Sequence, residues 1–471
     1  MTASNLVWLV LDSVRADRTS LGGHASSTTP NLERIGEADD GIATTCFTHA
    51  IWSQPSVASM MTGTYPSHHG AGLHNETLPE AIPTVAERFS DAGFRTEGLS
   101  LNPYFSEATG VHRGFDEFDS FDPASLVRRC SPKGLLTLLR NFRKFTGGLP
   151  RTDGRFLRRT PDYLLQEVVK ERLSALAGEG DPFFLCAHFT GVHHPYYPSP
   201  AFRSEFSSAL STSPSDAADT AYEKTSDVYR QLAHRCPFSE AEKSAIRVMY
   251  DASIAQSDTL VGRLVDHVDR LGLDEDTIVV ITSDHGELLC EYDLLSHKLL
   301  VTDELVEVPI AIRGSEQLRD ADLTMAQHVD VMQTLLNELG VDTGGMHGRV
   351  FPEDTPEFAV TQRGEKTRQQ TYEKAREYDA EFDPSRVRYG LVTVYRTPEW
   401  KLVDGDDSTA LYELPDERTD VSGKFPDLAA DLADSLSAWK DEYADPVTST
   451  KRAEFDDDVK DRLSDLGYVV E

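Results

Sequence analysis

Basic residues are scarce in this chain. Its 471 residues include 46 Lys and Arg against 79 Asp and Glu, a formal net charge of −33. Nucleic acid demands a cationic footprint, so this balance argues against nucleic-acid binding. The acids are spread along the chain, the pattern of an acidic, solvated and salt-adapted (halophilic) surface. At about 1 M salt the Debye length is about 3 Å, so short-range groups, not long-range steering, would decide how an anion binds. Cysteine is sparse too. Cys46, Cys130, Cys186, Cys236 and Cys290 are odd in number, widely spaced and form no CxxC pair. That argues against a disulfide framework and for a reduced, cytoplasmic setting. Long apolar runs are missing as well. The run from Leu6 to Leu11 follows no basic segment and is too short for a signal peptide or a membrane span.

What is present is enough apolar residue, 39% of the chain with 9% aromatic, for one large α/β domain and a smaller one. Continuous apolar runs of strand length occur at 6–11, 183–189, 277–283 and 309–313. Helical patterns lie between them, as at 78–89 and 245–271. Such alternation predicts a doubly wound, mainly parallel sheet covered on both faces. After about residue 350 the character changes. Residues 390–414 read as short alternating strands around a DGDD turn and 430–443 as a final helix. The expected division is a catalytic domain over 1–350 and a small C-terminal α+β domain over 351–471. A basic insertion interrupts the first at about 121–160: residues 127–159 carry ten Lys and Arg and one acid, Asp153. That segment reads as a solvated helix, as a lid over an anionic substrate, or as a peripheral membrane contact.

Chemistry-bearing residues gather at the ends of the predicted strands. Asp12 follows the first, and Asp284 and His285 follow the run TIVVITS. In open parallel sheets ligands bind beyond the carboxyl ends of the strands. Two carboxylates about 5 Å apart there would repel by roughly 3 kcal/mol at an effective dielectric of 20. A divalent cation reverses that sign. Asp12, Asp284 and His285 suit one Mg, Mn or Ca ion, although each acid alone reads equally as a helix cap. Ser53, in IWSQPSVASMMTG, is the candidate nucleophile. Pro55 fits the first turn of a helix over 56–61, whose N-terminus favours anions, and a metal can lower a serine pKa; a plain serine N-cap fits the same motif. His193 and His194 lie in HFTGVHHPYYP, and His297 and Lys298 in LLSHKLLV. Together they offer donors for a tetrahedral anion whose charge grows in the transition state.

These pieces, in this order, resemble the sulfatase family of the alkaline phosphatase superfamily. The resemblance is carried by NLVWLVLDSVRAD, SQPSVASMMTGTYPSHHG, RGFDEFD at 113–119, HFTGVHHPYYP, and TIVVITSDHGE followed by HKLLVTDELVEVP, with RTPEWKLV and LYEL near the end. It implies an alkaline phosphatase/sulfatase-like fold with one divalent cation held by Asp12, Asp284 and His285 beside the nucleophile. It implies that His193 and Lys298 contact the substrate anion or its leaving group. Members of this family convert the nucleophilic Cys or Ser to formylglycine through a motif that continues with Pro and then Arg. Here Ser53 and Pro55 match, but Val57 stands at the Arg position. Ser13 replaces a second metal-binding Asp of many members. SLNPYF at 100–105 replaces a Lys-Trp-His stretch, leaving Asn102 as a substrate-binding donor or a turn residue. The expected function is hydrolysis of a small-molecule or glycan sulfate ester. The alternatives are a phosphodiesterase, phosphonate monoester hydrolase or phosphotransferase that uses unmodified Ser53, and a non-catalytic anion-binding module.

Overall fold

The computed structural model describes residues 3–129, 161–382, 387–388, 390–406, 408–455, 457, 459–460 and 463. A seven-stranded sheet forms the centre of the larger part. Its strands are β1 (Asn5–Leu11), β2 (Gly41–Phe47), β3 (Arg95–Ser100), β4 (Glu117–Ser120), β5 (Phe183–Phe189), β6 (Thr277–Ser283) and, after a short ribbon of β7 (Leu288–Leu289) with β8 (Leu295–Ser296), β9 (Glu307–Arg313). The order across the sheet is β2-β9-β6-β1-β5-β3-β4. β1 lies between β5 and β6 and is parallel to both. β3 continues the parallel set to β5 and β4.

β9 departs from the parallel expectation: it pairs antiparallel with β6 and with β2. A parallel return needs a crossover that carries the chain back to the starting edge. The chain between β6 and β9 instead folds into the β7–β8 ribbon and the short Asp303–Val306 helix, so it re-enters the sheet from the edge at which it left. β2 and β4, partly exposed at the two edges of the sheet, have no continuous apolar signature, and neither does β3, which is buried but mixes polar residues into RTEGLS.

Both faces are covered, as a buried parallel sheet requires. Val7, Leu9 and Leu11 of β1 point into one core with Leu164, Val168 and Ile254. Leu6, Trp8 and Val10 point into the other with Val57, Phe89 and Met332. Each such side chain contributes roughly 1.5–3 kcal/mol by leaving water. The long helix of the first face, Glu240–Arg270, opens on a Ser239–Glu242 capping box, which satisfies its first free N–H groups. The helical reading of 78–89 holds only at its end: the helix is Val85–Asp91, capped by Thr84 and Glu87.

The C-terminal part is an antiparallel sheet of β10 (Ala359–Arg363), β11 (Val392–Arg396), β12 (Trp400–Asp404) and β13 (Thr409–Glu413). The Pro426–Tyr443 helix covers one face through Leu436 and Trp439, against Leu402 and Leu411. The same core includes Tyr65 and Val329 of the larger part. Gln362 N–H donates to His49 O at 2.8 Å, and the Gln327 side chain bonds Val360 on both its N–H and its carbonyl at 2.8 Å. The buried Lys401 ammonium, paired with Asp303 and Glu417, adds an ionic tie. Of the basic segment, 130–160 lies outside the described residues. Among the described residues, no helix is long and apolar enough to cross a membrane.

Candidate active site

Every strand that ends at the carboxyl edge near β1 delivers a polar residue there. Asp12 follows β1, Asn102 follows β3, His188 lies near the end of β5, and Asp284 and His285 follow β6. Ser53 comes from the Ser53–Thr62 helix, five residues beyond β2. Trp52 is the N-cap and Ser53 the first helical residue, with no side-chain cap bond at this end. The serine is therefore not a capping residue, and its hydroxyl turns to the site. Pro55 sits in the first turn, where its missing N–H costs nothing. Gly63 ends the helix with a φ of 69°, the left-handed conformation that glycine accepts most readily.

The turn after β1 is strained. Ser13 has a φ of 65°, unusual for a residue with a side chain. Its neighbours hold it there: Tyr250 Oη donates to Ser13 O at 2.6 Å, Val14 N–H to Ser283 Oγ at 2.8 Å, and Ser13 N–H to Asp284 Oδ1 at 3.2 Å. Ser13 Oγ donates to Asp12 Oδ1 at 2.7 Å. Thus Ser13, where a second metal-binding Asp was expected to be lost, orients the carboxylate beside it.

The hydrogen bonds fix which atoms converge. His285 Nδ1 donates to Gly286 O at 2.8 Å, which turns Nε2 toward the site. That Nε2 lies 3.6 Å from Asp12 Oδ1 and 3.7 Å from Asp284 Oδ2. Ser53 Oγ lies 3.2 Å from the same nitrogen. Asn102 Oδ1 accepts from Tyr104 N–H at 2.9 Å, which directs Nδ2 to donate to Asp12 Oδ2 at 2.9 Å and to Ser53 Oγ at 3.0 Å. Asn102 is therefore both a turn residue and a donor inside the site. The geometry also adds His188, which the sequence reading missed. Its Nε2 is 3.2 Å from Asp284 Oδ2, and it forms with Asp12 and Asp284 a cluster of possible ligands. The available signal was an imidazole near the end of an otherwise apolar strand.

Two carboxylates and an imidazole nitrogen face one another here. Such a set fits a divalent cation with hard, mainly oxygen ligands. The imidazole is fixed through its other nitrogen, as metal-bound histidines are.

A second group stands beside the first. His193 Nδ1 faces His194 O at 2.8 Å, His297 Nδ1 faces Glu287 Oε1 at 3.1 Å, and Lys298 Nζ lies 3.4 Å from His297 Nε2. The His285 and His297 rings are 4.2 Å apart. Burial pushes Lys298 down to about 7, against Glu287 and Asp12, which raise it. Burial also lowers His193 to about 4 and holds Glu287 well above the usual carboxyl range. Glu287, another residue missed in the sequence, backs His297 from the same DHGE turn.

Val57 does not face this polar group. It is buried in the apolar core with Ala58, Met60 and Met61. All the site residues are buried, and two cavities border residues adjacent to them in sequence. One of about 100 Å³ is bordered by Trp52, Gln54 and Tyr104. One of about 680 Å³ begins at Leu299, next to Lys298.

The family model described as Sulfatase matches residues 4–341. The multifunctional alkaline phosphatase superfamily protein PehA of Trinickia caryophylli is 25% identical over 392 residues, 73% of this chain and 75% of that protein. The low-salt glycan biosynthesis sulfotransferase Agl7 of Haloferax volcanii is 26% identical over 314 residues, 65% of this chain and 57% of its own. The phosphonate monoester hydrolase of Agrobacterium radiobacter superposes with a TM-score of 0.69 at 19% identity, covering 93% of this chain and 96% of that one.

Proposed function

The chain belongs to the sulfatase family, and from that premise we propose that it hydrolyses sulfate esters of a small molecule or glycan at Ser53. The observation that carries this reading is the approach of the Asp12 and Asp284 carboxylates to His285 Nε2, which itself lies 3.2 Å from Ser53 Oγ. Asp12, Asp284 and His285 are the residues that would hold one Ca, Mg or Mn ion. When bound, it supplies positive charge and a lowered serine pKa.

The chain's own groups divide the remaining work. Asn102 orients Ser53 Oγ through Nδ2. The free N–H groups of the Ser53–Thr62 helix favour an anion. Ser53 releases its hydroxyl proton to solvent and its Oγ attacks sulfur, and the bond from sulfur to the leaving oxygen breaks. Lys298, lowered by burial to about 7, gives that oxygen a proton at neutral pH. His193 stays neutral, with its proton on Nδ1. Its Nε2 then takes a proton from the water that attacks the covalent sulfuryl group, releasing sulfate and restoring Ser53. His297, held by Glu287, positions Lys298.

A second reading keeps Ser53 and changes the ester to a phosphodiester or phosphonate monoester. Val57 favours it, because it stands where formylglycine maturation uses the cation of an Arg, and an unmodified serine is the nucleophile of phosphate-transferring members of the superfamily. Without that cation, a monoanionic ester, whether sulfate or phosphodiester, is accepted over a dianionic phosphate monoester. Kinetics on aryl sulfate, aryl phosphodiester and aryl phosphate, with and without divalent cation, test both readings. Metal-dependent turnover fastest on aryl sulfate supports the first, and fastest on the diester supports the second. Asp12→Ala and Asp284→Ala should lose metal and activity together; retained turnover in a metal-free variant refutes the site. The low-salt glycan relative from a halophile supports a salt-adapted setting, and the four described cysteines, all free thiols, support a cytoplasmic one.

A further inference from the structure

The 680 Å³ cavity between the β10–β13 sheet and the segment that follows Lys298 is cationic in a chain of net charge −33. Its charged lining separates into two sets. Lys401 is matched by Asp303 and Glu417, and Arg396 shares the same Asp303, so that group is balanced. Among the described residues, the other set is Arg235, Arg388 and Arg418 with the acid Asp293, while Arg363 is bonded to the carbonyls of Leu299 and Arg388. Among the described residues, no carboxylate forms an ion pair within 4 Å of Arg235, Arg388 or Arg418. Tyr292 and Tyr412 supply aromatic wall, and Arg418 stacks over the Tyr292 ring at 4.8 Å. Guanidinium groups beside aromatic faces are the chemistry that receives a planar-edged or tetrahedral anion on a sugar.

The cavity is coupled to the site by the chain itself. Cys290, Tyr292, Asp293 and Ser296 all have positive φ, from 57° to 77°. Strain of this kind persists only where the surroundings impose it and gathers at functional segments. The strained stretch places Tyr292 and Asp293 on the cavity and leads directly into His297 and Lys298 at the catalytic side. Leu299, next to Lys298, is a cavity residue, and its carbonyl accepts from Arg363 at 3.2 Å.

We propose that this cavity is a subsite for a second anionic group (sulfate, phosphate or carboxylate) on the same substrate molecule whose ester reaches Ser53. The inference rests on the ester-hydrolase reading and narrows it to polyanionic substrates such as a multiply sulfated or sulfated acidic glycan. A monosulfated ligand gains nothing from the cavity. A substrate with a second anion gains one charge-assisted contact per arginine engaged.

The test is calorimetric titration of the full chain with sucrose octasulfate as the polyanion probe and inorganic sulfate as the free-anion probe, at low salt. Arg388→Ala with Arg418→Ala should weaken the polyanion about 100-fold, at about tenfold per charged contact. Arg418→Glu alone, at an exposed position, should weaken it at least about tenfold. Ser53→Ala should leave the affinity within about threefold, a difference below one contact. In kinetics, the double variant should raise KM for a disulfated disaccharide and leave KM for a monosulfated aryl ester unchanged. Equal polyanion affinity in wild type and double variant overturns the proposal. So does an equal loss of inorganic sulfate binding, which assigns the cavity to a free anion. The titration needs no turnover, so failure of the hydrolase reading is seen separately, as inactivity on every ester.

Discussion

Asn102→Asp is the sharpest probe of the charge arrangement around Ser53. The substitution replaces an N–H donor by an oxygen 2.9 Å from Asp12 Oδ2 and 3.0 Å from Ser53 Oγ. Two unit charges about 3 Å apart repel by roughly 5 kcal/mol at an effective dielectric of 20. Protonation offers an escape, and keeping a carboxyl neutral at pH 7 costs about 4 kcal/mol from an ordinary pKa of about 4. The smaller figure is the ceiling, so the metal-free variant should lose about 4 kcal/mol of stability. A divalent cation reverses the sign, because the new carboxylate then becomes a further hard ligand. The assay is equilibrium unfolding of both proteins in EDTA and in excess calcium or magnesium. The variant should be the less stable in EDTA and gain more from the cation than wild type does. Turnover with the cation bound should fall, since Ser53 loses its orienting donor. Wild-type stability in EDTA, or no greater gain with cation, refutes the reasoning.

Other consequences follow from burial and charge. Val57→Arg drives a guanidinium into the apolar core that Val57 shares with Met60 and Met61, and should destabilise by more than about 3 kcal/mol; unchanged unfolding with tighter sulfate inhibition would show instead that the side chain reaches Ser53. Burial lowers Lys298 to about 7 against the raising effect of Glu287 and Asp12, so its ammonium is present below that pH and lost above it. kcat for an aryl sulfate should fall as pH passes about 7, and Lys298→Arg, which keeps its proton, should be slow at every pH and lack that limb; a wild-type kcat flat from about pH 6 to about pH 9 contradicts the assignment. Trp439→Ala removes a buried ring 4.8 Å from Tyr65 and should cost about 3–5 kcal/mol. Unfolding should remain one coincident transition at lower denaturant; two separated transitions would show that the β10–β13 unit folds independently.

The sequence was informative where a residue's role follows from its place at a strand end. β1, β5 and β6 are continuous apolar runs, and buried parallel strands have to be, so Asp12, Asp284 and His285 were placed with them. The direction of β9 was not legible, because a buried apolar run looks the same in either orientation. The edge strands β2 and β4, and β3 beside β4, carry mixed residues and give no period. His188 and Glu287 were hidden for a different reason. Each acts through a partner more than ninety residues away or behind a turn, as His188 does on Asp284, and no local spacing announces such contacts. The contiguity of Lys298 with an arginine-lined cavity depends on how β10–β13 packs against the 291–302 segment, which only the assembled fold reveals.

The central claim is that the Ser53 oxygen itself attacks the ester. The mass of the Ser53 peptide, taken from protein purified from its native host and acid-quenched during turnover of an aryl sulfate, tests it most directly. The account predicts an unmodified serine peptide in the resting enzyme and, in the quenched sample, a fraction bearing one sulfuryl group on Ser53. Loss of two hydrogens from the resting peptide, the signature of oxidation to formylglycine, would contradict it, as would turnover with the sulfuryl group found on another residue.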